Sequence, residues 1–205
     1  MRKFWCAAIA LTLCTPEASA QTSGHSTAAP LGNVKPFREL RAFGACYAKS
    51  HRKAALLLLA TVPDTADEVK AFHRMVYGED VAGTICLSGG TRMRMPTLFA
   101  RGAIAEGLLL AGGVPDTHRL SAPGPGQVRD LHGAARCYAA GHRGEVEALL
   151  KINPGSPEEV KAVAGLWNDF RTCMPGFNVR LNAPWIRFLL AEALLRLPPA
   201  PQPGT

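Results

Sequence analysis

From Cys46 onward the chain repeats itself, and no other sequence feature constrains its fold more. Cys46-Tyr47-Ala48 followed by His51-Arg52 returns as Cys137-Tyr138-Ala139 followed by His142-Arg143, displaced by 91 residues. Leu58-Leu59 and Pro63 return as Leu149-Leu150 and Pro154, and Glu68-Val69-Lys70-Ala71 as Glu159-Val160-Lys161-Ala162. From Cys46 to Ala71, 12 of 26 aligned positions are identical, too many in one order for chance. A later block matches at a displacement of 86: Arg94, Arg101, Ala105-Glu106 and Leu108-Leu109 return as Arg180, Arg187, Ala191-Glu192 and Leu194-Leu195. The difference of five residues falls in the loop between the blocks, where length changes are best tolerated. A period near 90 residues is too long for the common solenoid repeats, and two copies do not make an array. The expected architecture is therefore a duplicated small domain.

Each copy reads as helical, with about four helices. Val160, Val163, Trp167 and Phe170 recur at spacings of three and four, one face of a helix. Ser156-Pro157-Glu158-Glu159 opens that helix with a capping serine, a proline at the first position and a glutamate three residues after the cap. Thr65 and Glu68 stand in the same relation in the first copy. Ile186, Leu189, Ala193, Leu194 and Leu197 form a further stripe, and Asn153-Pro154 stops the short helix carrying Val146, Leu149 and Leu150. Runs of alternating β-branched residues are missing, which argues against a sheet. The fold class expected is all-α: two tandem copies of a four-helix unit, each with an internal disulfide. Residues 37–111 make the first repeat, 112–127 a Gly/Pro-rich linker and 128–197 the second repeat. Residues 21–36 and 198–205, rich in Ser, Thr, Gly or Pro, are expected to be disordered. Trp167 and Trp185 are expected to be largely buried.

The first twenty residues read as a signal peptide. Arg2 and Lys3 are followed by an apolar run from Phe4 to Leu13, and Ala18-Ser19-Ala20 offers small residues for cleavage. The mature chain then begins near Gln21 and is exported to the periplasm or the exterior. Loss of Arg2, Lys3 and Glu17 takes the formal charge from +7 to +6. Cys6 and Cys14 leave with the signal, and Cys46, Cys86, Cys137 and Cys173 remain. An even count in an exported chain points to disulfides, with three pairings possible. Equivalent cysteines in a duplicated unit favour Cys46–Cys86 and Cys137–Cys173. No later stretch is apolar for long enough to form a transmembrane helix.

The Cys-then-His-Arg segment followed by the Arg-then-Ala-Glu-Leu helix resembles small exported bacterial proteins of no assigned function that carry a duplicated helical, Cys-paired unit. The resemblance spans about residues 37–197 and implies no activity.

Little chemistry is legible. There is no close cysteine pair and no His-Glu-x-x-His, so the strong zinc spacings are missing. No haem attachment site, phosphate-cradling glycine loop or nucleophile elbow occurs, and no cofactor is implied. The candidate residues are the polar set that both copies share: Tyr47, His51, Arg52, Arg101 and Glu106, with Tyr138, His142, Arg143, Arg187 and Glu192. Such a set either builds a twofold ligand site or holds the fold. Arg101 and Glu106 are five apart and face different sides of their helix, so each needs a partner elsewhere. His51 and Arg52, at a helix junction, are placed to reach Glu106. The expected function is non-catalytic, a binding or scaffold protein of the bacterial envelope. Its net positive charge points to an anionic envelope component or another envelope protein as partner. Lysine and arginine are scattered without interleaved aromatics, so no specific nucleic-acid binding is expected. The alternative is an envelope hydrolase with its site between the two repeats.

Overall fold

A computed structural model of the chain describes residues 35–77, 86, 96–114 and 119–199. The expected signal peptide, most of the N-terminal segment and the tail beyond residue 199 lie outside the described residues. Among the described residues there are eight α-helices and no strand: α1 (Lys35–Ser50), α2 (Arg52–Ala60), α3 (Ala66–Tyr77), α4 (Thr97–Leu110), α5 (Leu131–Gly141), α6 (Arg143–Lys151), α7 (Pro157–Thr172) and α8 (Ala183–Arg196). A 3-10 turn, Pro125–Gln127, lies in the connection before α5.

Local sequence sets the helix starts. Asp130 Oδ1 accepts from Gly133 N at 2.6 Å, Ser156 Oγ from Glu159 N at 3.2 Å and Asn182 Oδ1 from Trp185 N at 3.2 Å. Each satisfies an amide that the first turn leaves without a carbonyl. Pro36 sits in the first turn of α1, where the missing amide costs nothing. The helix thus begins at Lys35, two residues before the boundary expected from composition.

Helices α4 and α8 are central. Every residue from Ala100 to Leu108 and from Ile186 to Leu195 is buried, so neither helix has a solvent face. They pack against each other, with α1 laid on α4 and α5 on α8. Close approach at α1 requires glycine: a Cβ on Gly44 would overlap the Ala103 carbonyl, and one on Gly107 the Gly44 carbonyl. Two apolar cores result, one for α1–α4 and one for α5–α8. They meet where Phe188 and Leu195 of α8 enter the first core. Trp185 packs edge-on against Phe99 at 5.0 Å between ring centroids. Both Trp167 and Trp185 are only half-buried, because each flat ring covers the rim of the core rather than filling it. Leu110, the last residue of its helix, is 69% exposed, whereas Leu197 is buried.

Two disulfides tie the periphery to this centre. Cys46 on α1 bonds Cys86, and Cys137 on α5 bonds Cys173 at the end of α7, with Cα–Cα separations of 5.6 and 5.9 Å. Between α4 and α5, residues 119 and 120 lie along the end of α8. There Leu120 N donates to Arg196 O at 2.6 Å, and Arg119 Nη1 to Leu197 O at 2.5 Å.

Candidate functional site

The charged residues shared along the sequence are found in the middle of the molecule. Arg101, on α4, has no exposed surface. Its Nη1 donates to Leu58 O at 3.0 Å and Thr61 Oγ1 at 2.9 Å, and its Nη2 to Thr61 O at 3.3 Å. These acceptors belong to the end of α2, whose last carbonyls have no intrahelical donor and carry the negative end of the helix dipole. The other edge of the guanidinium meets Glu192 of α8 in a two-point pair, Nε to Oε2 at 3.1 Å and Nη2 to Oε1 at 2.5 Å. Glu68 completes the shell, with Oε1 3.2 Å from Nη1. Its other oxygen accepts from Asp64 N at 2.9 Å.

Arg187 on α8, also without exposed surface, repeats the arrangement. Nη1 donates to Leu149 O at 3.1 Å and Ile152 O at 3.0 Å, and Nη2 to Leu150 O at 2.8 Å, at the end of α6. Glu106 of α4 takes Nε at 3.1 Å and Nη2 at 2.6 Å. Glu159 takes Nη1 at 2.9 Å and accepts from Gly155 N at 2.6 Å. Asp64 and Gly155, matched at a displacement of 91, both adopt the left-handed backbone, φ 61° and 74°, that aims their amides at these carboxylates.

The two ion pairs are therefore crossed. Arg101 holds the glutamate that matches Glu106, and Arg187 holds Glu106 itself. Gly102 faces Phe188, and Phe99 faces Trp185, each again a residue against its own counterpart at a displacement of 86. A surface that meets its own equivalent in this way is isologous, as in a twofold dimer. Burial alone would weaken the charge on either arginine. The carboxylates override it, Glu192 and Glu68 at Arg101 and Glu106 and Glu159 at Arg187, so both guanidiniums hold their protons more tightly than usual. Burial would likewise raise the Glu192 carboxyl. Arg101, aided by a hydrogen bond from His132, instead keeps it well below the usual carboxylate range.

The remaining shared residues lie apart from this centre. Arg52 Nη2 donates to Gly113 O, and Arg143 Nη2 to Pro198 O, both at 2.5 Å. Each ties the start of a short helix to the chain just past a central one, and neither reaches Glu106 or Glu192. Glu106 is held by Arg187 and by Arg41, whose Nε is 2.7 Å from Oε1. His51 lies against Tyr47 with ring centroids 5.2 Å apart, and its Nε2 is buried without a partner. His142 stacks flat on Tyr138 at 4.4 Å. Glu145 joins that pair, accepting from Tyr138 Oη at 2.6 Å and lying 3.0 Å from His142 Nδ1. Burial first, and Glu145 second, push the Tyr138 phenol above its ordinary value. The matched position in the first half is Ala54, so the carboxylate of this trio exists once.

Sequence reasoning missed Arg41 and His132, which correspond at a displacement of 91 but differ in type. His132 Nδ1 lies 3.3 Å from Glu192 Oε2, as Arg41 lies on Glu106. An identity match could not find them. An open depression of about 460 Å³ lies between the halves, lined by Arg38, Arg41, Ala45, Leu110, Asn153 and Pro154, with neither a carboxylate nor a nucleophile in its wall. Among the described residues no group of three His, Cys, Asp or Glu is placed to hold a metal ion, and no helix is long and apolar enough to cross a membrane. In comparisons with known proteins, no protein family, curated protein or solved structure matches the chain.

Proposed function

We propose that the chain is a tandem duplication whose two units are joined as a fused pseudo-dimer, and that it serves as an exported, non-catalytic binding or scaffold protein of the bacterial envelope. The observation that carries this reading is the fate of the shared charges. Arg101, Glu106, Arg187 and Glu192 are all buried and pair with one another across α4 and α8, which is the role of a joint. Shared residues of a twofold catalytic or ligand site would instead converge on open space. The four-cysteine pairing and the net positive charge of the sequence support export and an anionic partner in the envelope.

Two measurements on the protein lacking residues 1–20 test this together. It should co-sediment with isolated envelope fractions, with retention that falls as salt rises. It should also leave ester, amide, glycoside and phosphoester reporter substrates unchanged. Reproducible turnover by the purified protein, lost on substitution of residues in the depression between the halves, would replace this reading with the hydrolase.

A further inference from the structure

The two crossed clusters share a plan but differ in charge. Around Arg187 stand Arg41, Glu106 and Glu159, two guanidiniums facing two carboxylates. Around Arg101 stand Glu68, Glu192 and Arg196, which already balance. Helix α5 then adds Arg136. His132 and Arg136 are one turn apart and share a face of α5, and Glu192 and Arg196 are related in the same way on α8. His132 Nδ1 lies 3.3 Å from Glu192 Oε2, which brings those two faces together, and the Arg136 charge acts on Arg196. Arg196 reaches Glu192 at 3.6 Å and donates through Nη1 to Leu59 O.

The result is three guanidiniums against two carboxylates, with the His132 ring beside them. The Nε–H groups of both Arg136 and Arg196 are buried and find no acceptor. Among the described residues no carboxylate is paired with Arg136. Buried donors normally have partners, and a buried positive charge normally has a counter-charge. The field agrees: the Arg196 guanidinium is pulled below its ordinary value, by burial first, and Arg101 and Arg136 deepen the shift that Glu192 opposes. At the corresponding place in the other half, Arg136 is replaced by Ala45 and Arg196 by Leu110, so no excess charge arises there.

We propose that Arg136 and Arg196 form a binding site for a phosphate-type oxyanion, present once in the molecule. Two guanidinium edges with free Nε donors suit the tetrahedral oxygens of phosphate, and the bound anion would balance the cluster. The anion is either inorganic phosphate or the phosphate of a lipid headgroup. Only the lipid source rests on the envelope reading above.

Thermal unfolding with inorganic phosphate, against sodium chloride at equal ionic strength, tests the site. At phosphate concentrations about 100-fold above Kd the transition should rise by about 5 °C or more, and chloride should not reproduce it. Arg136→Gln should abolish the rise. Without phosphate this variant should unfold at or above the wild-type temperature, since repulsion from Arg196 is relieved. Arg171→Gln, on an exposed arginine elsewhere, should keep the full rise. Titration of wild-type protein followed by phosphorus NMR gives a readout independent of any variant. Equal effects of phosphate and chloride, or a full rise retained in Arg136→Gln, overturn the proposal. Co-sedimentation with phosphatidylglycerol vesicles, against phosphatidylcholine, distinguishes the sources: binding lost in Arg136→Gln assigns the headgroup, and a phosphate response without vesicle binding assigns the free ion. Equal vesicle binding by wild type and Arg136→Gln rules out the headgroup at this site while leaving the envelope reading standing.

Discussion

Replacing Arg101 by methionine tests the crossed joint most directly. The side chain has no exposed surface, and methionine fills much of the same volume without charge. Its loss removes both pairs to Glu192, the contact with Glu68 and the donors to the end of α2. Glu192 keeps His132 and Arg196, and Glu68 keeps the Asp64 amide, so neither carboxylate is abandoned entirely. The free carbonyls of α2 and the weakened counter-charge should still cost about 3–5 kcal/mol, the range for breaking a buried pair. Against a total stability of about 5–15 kcal/mol, that loss is large and should be plain in urea unfolding. The sharper test is the cycle with Glu192→Met. If the two residues stabilise each other, the double variant should cost less than the sum of the singles, with a coupling of about 1–3 kcal/mol. Purely additive effects, or an Arg101→Met protein as stable as wild type, would show that the pair does not join the halves.

Acid should weaken the fold through the same residue. The Glu192 carboxyl is held well below the usual range when folded, so its contribution is complete above the unfolded value of about 4.3 and is lost as the pH falls from there toward the depressed folded value. Glu192→Gln should flatten this acid limb in pH-dependent unfolding, and an unchanged limb would assign it to other carboxylates. The disulfides close sequence separations of 40 and 36 residues, which in the chain-entropy account stabilise by about 4 kcal/mol each. Cys137→Ala with Cys173→Ala should therefore lower the denaturant midpoint strongly, and a midpoint within error of wild type would contradict that account.

The helical class, the disulfide partners and the cap at Ser156 differ in how they could be read. Apolar spacing at three and four residues encodes a helix locally, and the capping serine with its glutamate is visible in four residues. The cysteines needed the repeat, since four of them alone allow three pairings. The glutamates at 68 and 159 were legible as helix starters but not as ligands of Arg101 and Arg187. Their second role depends on a helix that arrives later in the chain. The partner of Glu106 was expected near His51 and Arg52, within one half. Helical geometry showed that Arg101 and Glu106 cannot pair with each other, but it carries no information on which helix of the other half comes to lie against them. That choice follows from α4 and α8 being buried on every side, a property suggested by their largely apolar composition but not by any single residue.

On the duplication proposed above, two kinds of evidence separate that a single-copy chain mixes. Residues kept in both halves answer to what each half needs in common, and here the pairs of arginine and glutamate meet that need by joining α4 to α8. Each arginine takes its two-point glutamate from the opposite half and keeps only Glu68 or Glu159 from its own. Separating the halves would break both two-point pairs at once in a buried setting, so the halves should open together rather than singly. Residues that differ at matched positions are free of this constraint. Arg136 opposite Ala45, Arg196 opposite Leu110 and Glu145 opposite Ala54 contribute nothing that the twofold plan requires. Two of these three substitutions add positive charge to one cluster, leaving one guanidinium beyond what its carboxylates balance, which costs stability unless a counter-charge arrives. A cost carried in only one half of a self-complementary joint is accounted for by a ligand taken up there, and it is at this cluster, rather than at the shared residues, that binding is to be sought.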